Sequence, residues 1–176
     1  IDGFKLEQEY FGGGDLGLGP TVGDPLADKN ILERIKFARN FNKIKKIGFF
    51  SNLIALGRFN IKDFVNSGLT NLVISTSGFN EDMYLRVYRS KEYKKMYNNL
   101  TELLIENNKS GNPIDIIIEM RSDKSLKETL NFSDYKKLLK YIPADKILCK
   151  FRYDDWAGKI KKSELTGEMK IRNMMI

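Results

Sequence analysis

Five short apolar runs recur along the chain: Leu16–Leu18, Ile47–Phe50, Leu72–Ser75, Ile114–Met120 and Ile147–Phe151. They are rich in isoleucine, valine and phenylalanine, and nearly continuous rather than alternating. That composition suits strands buried on both faces, as in a parallel sheet. Successive runs begin roughly 25 to 40 residues apart, enough for a loop, a helix and a second loop, which is the βα rhythm. With right-handed crossovers, five such units build either an open doubly wound sheet or most of a barrel. The chain is therefore expected to be α/β.

The intervening segments carry helix signals. Asp28 or Asn30 caps a helix with Ile31, Ile35 and Ala38 on one side. Asn60 caps the next, which runs through Val65 and stops at Gly68. A long helix is expected from about Glu81 to Asn108, broken near Arg89-Ser90, and Ser133 caps a last one. There Tyr135, Leu138, Leu139 and Ile142 would face inward, and Pro143 would end it.

A length of 176 residues makes one domain with a real core, and no apolar run approaches the ~20 residues of a membrane span. Residues 1–14 read as a lead-in or the end of a truncated helix, 15–160 as the βα core and 161–176 as a C-terminal tail. Since Ile1 comes first, the chain is expected to be excised from a longer protein. The net charge of +7 comes from scattered lysines such as Lys43, Lys45, Lys46, Lys94, Lys95, Lys136 and Lys137, the pattern of a solvated surface. Nucleic-acid binding would need them gathered on one face. There is one cysteine, Cys149, and no histidine. An internal disulfide, a histidine-based nucleophilic site and a histidine-ligated zinc are thereby excluded, and a reducing cytoplasm is the expected setting. Cys149, inside a strand, is expected to pack in the core.

Ligands of such folds collect at the carboxyl ends of the strands. Following the apolar runs come Gly23-Asp24-Pro25, Ser51-Asn52, Ser75-Thr76-Ser77-Gly78, Glu119-Met120-Arg121-Ser122 and Arg152-Tyr153-Asp154-Asp155-Trp156. Every strand end thus carries small hydroxyls, amides or charges. Gly23 permits close backbone approach, Pro25 fixes a turn and Asp24 puts a carboxylate at its apex. Glu119 and Arg121, two apart on one strand face, would grip an ammonium and a carboxylate, or pair with each other as a partly buried salt bridge closing a barrel mouth.

The ordered set Gly23-Asp24-Pro25-Leu26, Ser51-Asn52, Ile74-Ser75-Thr76-Ser77-Gly78-Phe79 and Met83 through Arg89 resembles the core of radical S-adenosylmethionine (SAM) enzymes with a SPASM-type extension. The resemblance covers roughly residues 15–160 and implies a partial (β/α)6-type TIM-like barrel, of which this chain holds strands two to six with flanking helices. Gly23, Asp24 and Pro25 match the family motif that holds the methionine amino group, with aspartate for glutamate. Ser51, Asn52, Ser75 and Ser77 would face the ribose or carboxylate, with serine at Ser77 where aspartate is usual. Arg89, in preference to Arg86, or else Arg121, would take the carboxylate, and Trp156-Ala157-Gly158 resembles the pair that precedes the extension.

The resemblance implies reductive cleavage of SAM by a [4Fe–4S] cluster and hydrogen abstraction by the 5′-deoxyadenosyl radical. It also implies an external electron donor and a peptide or protein as the leading substrate. The defining Cys-x-x-x-Cys-x-x-Cys is absent, so this polypeptide alone is expected to be inactive. The competing reading is a non-catalytic basic α/β module that binds a nucleotide or nucleic acid. An ordinary barrel lyase would want a strand-end lysine, for which Lys150 is the candidate.

Overall fold

The computed structural model describes residues 13–20 and 22–150. The lead-in before residue 13, Thr21, the Arg152–Trp156 strand end, Trp156-Ala157-Gly158 and the 161–176 tail lie outside the described residues. The elements are β1 (Gly14–Gly17), α1 (Ile31–Ala38), β2 (Ile44–Ser51), α2 (Ile61–Val65), β3 (Asn71–Ser77), α3 (Glu81–Tyr88), α4 (Tyr93–Lys109), β4 (Asp115–Arg121), α5 (Leu126–Thr129), α6 (Ser133–Leu138) and β5 (Ile147–Lys150). The five strands form one all-parallel sheet in the order β1-β2-β3-β4-β5. A doubly wound sheet reverses its strand order at a switch point. This order has no reversal, so the winding is single.

By packing, the chain divides into two units: Ile1–Ile74 with Lys95–Ile117, and Ser75–Lys94 with Ile118–Ile176. In the first, Ile47 and Phe49 of β2 and Leu72 and Ile74 of β3 point to one face and are buried. The helices supply Ile31, Ile35 and Ala38 from α1, Phe64 and Val65 from α2, and Met96, Leu100, Leu103 and Leu104 from α4. Phe64 meets Phe49 edge-on, with ring centroids 6.5 Å apart. The Arg39 guanidinium ties the end of α1 to the chain beyond α2, Nε donating to the Gly68 carbonyl at 2.6 Å. Gly68 has φ +95°, the left-handed backbone that only glycine adopts without strain. On β2, Gly48 stands opposite Asn71, and a Cβ there would lie 2.9 Å from the Asn71 carbonyl oxygen, so the two strands need a glycine at this point.

In the second unit, β4 and β5 pair in register, Glu119 with Leu148 and Arg121 with Lys150. Tyr84 stacks on Tyr88 at 5.1 Å, one helical turn along, and the Tyr93 hydroxyl donates to Asp134 at 2.8 Å. Ser125 and Glu128 cap α5 reciprocally, a capping box. Ser122 Oγ and Thr129 Oγ1 share a hydrogen bond of 2.7 Å, which satisfies two buried hydroxyls at once.

Several expectations need correction. Two-sided strand burial does not hold: Phe50 of β2 is 61% exposed, as are large parts of Leu148 on β5. The helix capped by Asp28 or Asn30 begins after Asn30, yet it is Asp28 whose carboxylate takes the Asn30 N–H, at 2.9 Å, while Asn30 makes no side-chain cap. Helix α6 is preceded by Phe132 rather than capped by Ser133, and Leu139 is exposed where inward packing was expected. The break between α3 and α4 falls where expected, with Arg89 left-handed at φ 52°.

Candidate functional site

Asp24 is the N-cap of a single 3-10 turn, Pro25–Ala27, whose first position suits proline because no N–H is needed there. Gly23, at φ +108°, makes the entry into that turn. The half-buried Asp24 carboxylate accepts from Leu26 N at 2.9 Å, from Asn52 N at 2.7 Å and from Ser51 Oγ at 3.0 Å. A carboxylate offers about four acceptor positions, so three protein donors nearly fill it. Ser51 Oγ in turn accepts from Leu53 N, and Asn52 Oδ1 from Ile54 N. These two local turns fold the chain back at the end of β2, with buried Leu53 forced to φ 61° and its carbonyl held by Asn99 Nδ2 at 2.7 Å. Gly23, Asp24, Pro25, Ser51 and Asn52 are therefore brought together, as one hydrogen-bonded seam between two strand ends.

On one side of that seam lies a groove of about 640 Å³ on the open sheet face, running from Asp15 and Lys46 past Gly17 and Gly48 to Phe50, Gly23 and Pro25. A second hollow of about 460 Å³ lies against Asp24, Asp28 and Arg34.

The other expected site residues belong to the second unit. Ser75 and Ser77 lie within β3, not in the loop after it. Ser75 Oγ is 3.4 Å from the Tyr88 hydroxyl, while fully buried Ser77 donates to the Gly78 carbonyl. Glu119 takes Lys150 Nζ at 2.5 Å, so its ion-pair partner is the neighbouring strand's lysine. Arg121 lies two residues along on the same face. Arg86 is engaged by Asp123 through two hydrogen bonds, of 2.7 and 3.2 Å, whereas Arg89 is exposed and makes no ion pair among the described residues. Sequence reasoning missed Tyr88 as part of this group. Burial pushes its hydroxyl up, opposed by the hydrogen bond with Ser75 and by the Arg121 charge, so those groups face one another. The i, i+4 spacing of Tyr84 and Tyr88 is the signal that was there to be read.

Among the described residues, no three histidine, cysteine, aspartate or glutamate side chains gather as a metal site. Nor is any described helix long and apolar enough to cross a membrane. Half-buried Cys149 has its thiol pushed up to about 11 by burial. The thiolate is the nucleophile, so disulfide reagents at pH 8 should react with Cys149 at least about tenfold more slowly than with free cysteine. The rate should climb as the pH nears 11, and stopped-flow thiol titration against pH measures it. No protein-family model matches the chain, and no curated protein matches it.

Proposed function

We propose that this chain is the SAM-binding core of a radical SAM enzyme, with its sheet forming part of a (β/α)6-type barrel. The observation that carries the reading is the seam of Asp24, Ser51 and Asn52 at the carboxyl ends of adjacent parallel strands, beside an open groove. In this reading Gly23 and Pro25 present backbone to the methionine amino group. Asp24 adds its remaining acceptor position while the bonds to its two oxygens keep the two strand ends together. Ser51, Asn52, Ser75 and Ser77 serve the ribose or carboxylate, and Arg89, Glu119 and Arg121 serve the charged ends. SAM would supply the reactive group. The chain's own part is to bind it, orient it and exclude water.

One cysteine does not fit a [4Fe–4S] cluster, which takes several thiolates. The cluster, the electron donor and hydrogen abstraction from a peptide substrate are accordingly proposed for a longer protein, and no step is assigned to them here.

Calorimetry with SAM tests the reading. Without a cluster to hold the methionine end, a dissociation constant of about 1 mM, near 4 kcal/mol, is expected. Arg121→Ala and Asp24→Asn should each weaken it by about tenfold, the worth of one charge-assisted hydrogen bond. If ATP binds tightly and is indifferent to both substitutions, the chain is a non-catalytic nucleotide-binding module instead.

A further inference from the structure

The 640 Å³ groove of the first unit has a charged end, an open middle and an aromatic end. At the charged end Asp15 and Lys46 are register partners on β1 and β2, both lining the groove. Neither side chain has a hydrogen bond or ion pair with another described residue. Two residues further along, about 6.6 Å at the usual strand rise, Gly17 and Gly48 stand opposite each other; the backbone at Gly17 is open, whereas the space above Gly48 is bounded by Asn71 Cβ, and Asn71 also lines the groove. Two residues beyond Gly48 the Phe50 ring is 61% exposed and lines the same groove.

We infer that this groove binds a free aromatic α-amino acid. The ammonium meets Asp15, the carboxylate meets Lys46, and the ring lies over Gly17 with its edge toward Phe50. The charges are complementary to a zwitterion, and the step from the charged pair to the glycines matches the length of one aromatic side chain. A flat ring packs against peptide planes where no Cβ intervenes, and aromatic edges are attracted to ring faces. A nucleobase suits the groove less well, because its edge needs hydrogen-bond partners at the ring. Among the described residues, Asn71 is the one side-chain amide lining the groove, and its Oδ1 already accepts from Thr70 Oγ1 at 2.9 Å, which leaves a single NH2 group for a base edge that presents both donors and acceptors. The inference stands on this groove alone and does not require SAM to bind the chain.

The test is titration of the 15N-labelled chain with L-phenylalanine and L-tryptophan, beside N-acetyl-L-phenylalaninamide and adenosine. Both free amino acids should shift the Gly17, Gly48 and Phe50 amides saturably, with dissociation constants of about 1 mM for ligands of this size. The capped amide, which carries neither charge, should bind at least about tenfold more weakly. Lys46→Met keeps the stem and should weaken L-phenylalanine by about tenfold. A Cβ built on Gly17 meets no atom within 4 Å, so Gly17→Val places its side chain in the open space of the groove. It should abolish binding with the melting temperature unchanged. Equal binding of the capped amide or of adenosine overturns the inference. So does undiminished binding by either variant, or the absence of any shift at these amides.

Discussion

Asp24→Ala should lower the stability of the folded chain by about 3 kcal/mol, the cost of stranding several donors that a single carboxylate had satisfied. The Leu26 and Asn52 amides and the Ser51 hydroxyl all lose their acceptor at once. Fully buried Leu26 and nearly buried Ser51 sit where water reaches poorly, so solvent cannot take over the lost bonds at no cost. For a domain of this size the melting temperature should fall by roughly 10 °C. Asp24→Asn retains one carbonyl acceptor but sets an NH2 group against a donor, and should lie between wild type and alanine. Urea denaturation of the three proteins measures the series. If alanine costs less than the asparagine change, the carboxylate is not the tie between the β1–β2 ends, and its loss of SAM binding would then report ligand contact alone.

That double duty bears on how a binding reading is tested. A carboxylate that holds a loop together and also faces a ligand gives the same loss of binding for two reasons. Arg121 takes no part in the hydrogen bonds of the Asp24 seam. A urea melt of Arg121→Ala beside its calorimetry separates ligand contact from the loss of the interactions that Arg121 makes within the fold.

The strand–helix alternation was legible because a parallel strand with neighbours on both sides needs a run of β-branched and aromatic residues, and the runs of β2, β3 and β4, the three inner strands, stand out. Strand ends were less so. β3 continues past Ser75 through Thr76 and Ser77, and β4 one residue past Met120 to Arg121, since the backbone ladder persists after the side chains turn polar. The open face was hidden by Phe50, an apolar residue that stays exposed and mimics core. In the site, the Gly23-Asp24-Pro25 turn could be read from local residue chemistry. The pairing of Asp24 with Ser51 and Asn52 could not, because it closes across 27 and 28 residues of chain. Glu119 was matched to Arg121, its neighbour on the strand, when the bonded cation is Lys150 on the next strand. Lateral pairing between strands is a tertiary fact, and no spacing along one strand reports it.

Phe64→Ala should be the costliest single change considered, at about 4 kcal/mol. Phe64 is completely buried in a helix of five residues, too short to persist on its own. Asn60 caps that helix through Lys62 N and Asp63 N, but a cap contributes only about 1 kcal/mol. The helix is therefore held by its ring, which lies edge-on to Phe49 of β2, two residues before Ser51. Removing the ring leaves a cavity under the strand that presents the Asp24 partners, so Ser51 and Asn52 lose their rigid base together with α2. Phe64→Leu keeps most of the volume and should cost only about 1 to 2 kcal/mol. Urea unfolding measures both, and hydrogen exchange at the Asn52 amide reports whether the loss reaches the site. Alanine should speed that exchange by far more than leucine does. Equal protection in both variants would mean that the strand end is held by the Asp24 seam alone, independently of the packing beneath it.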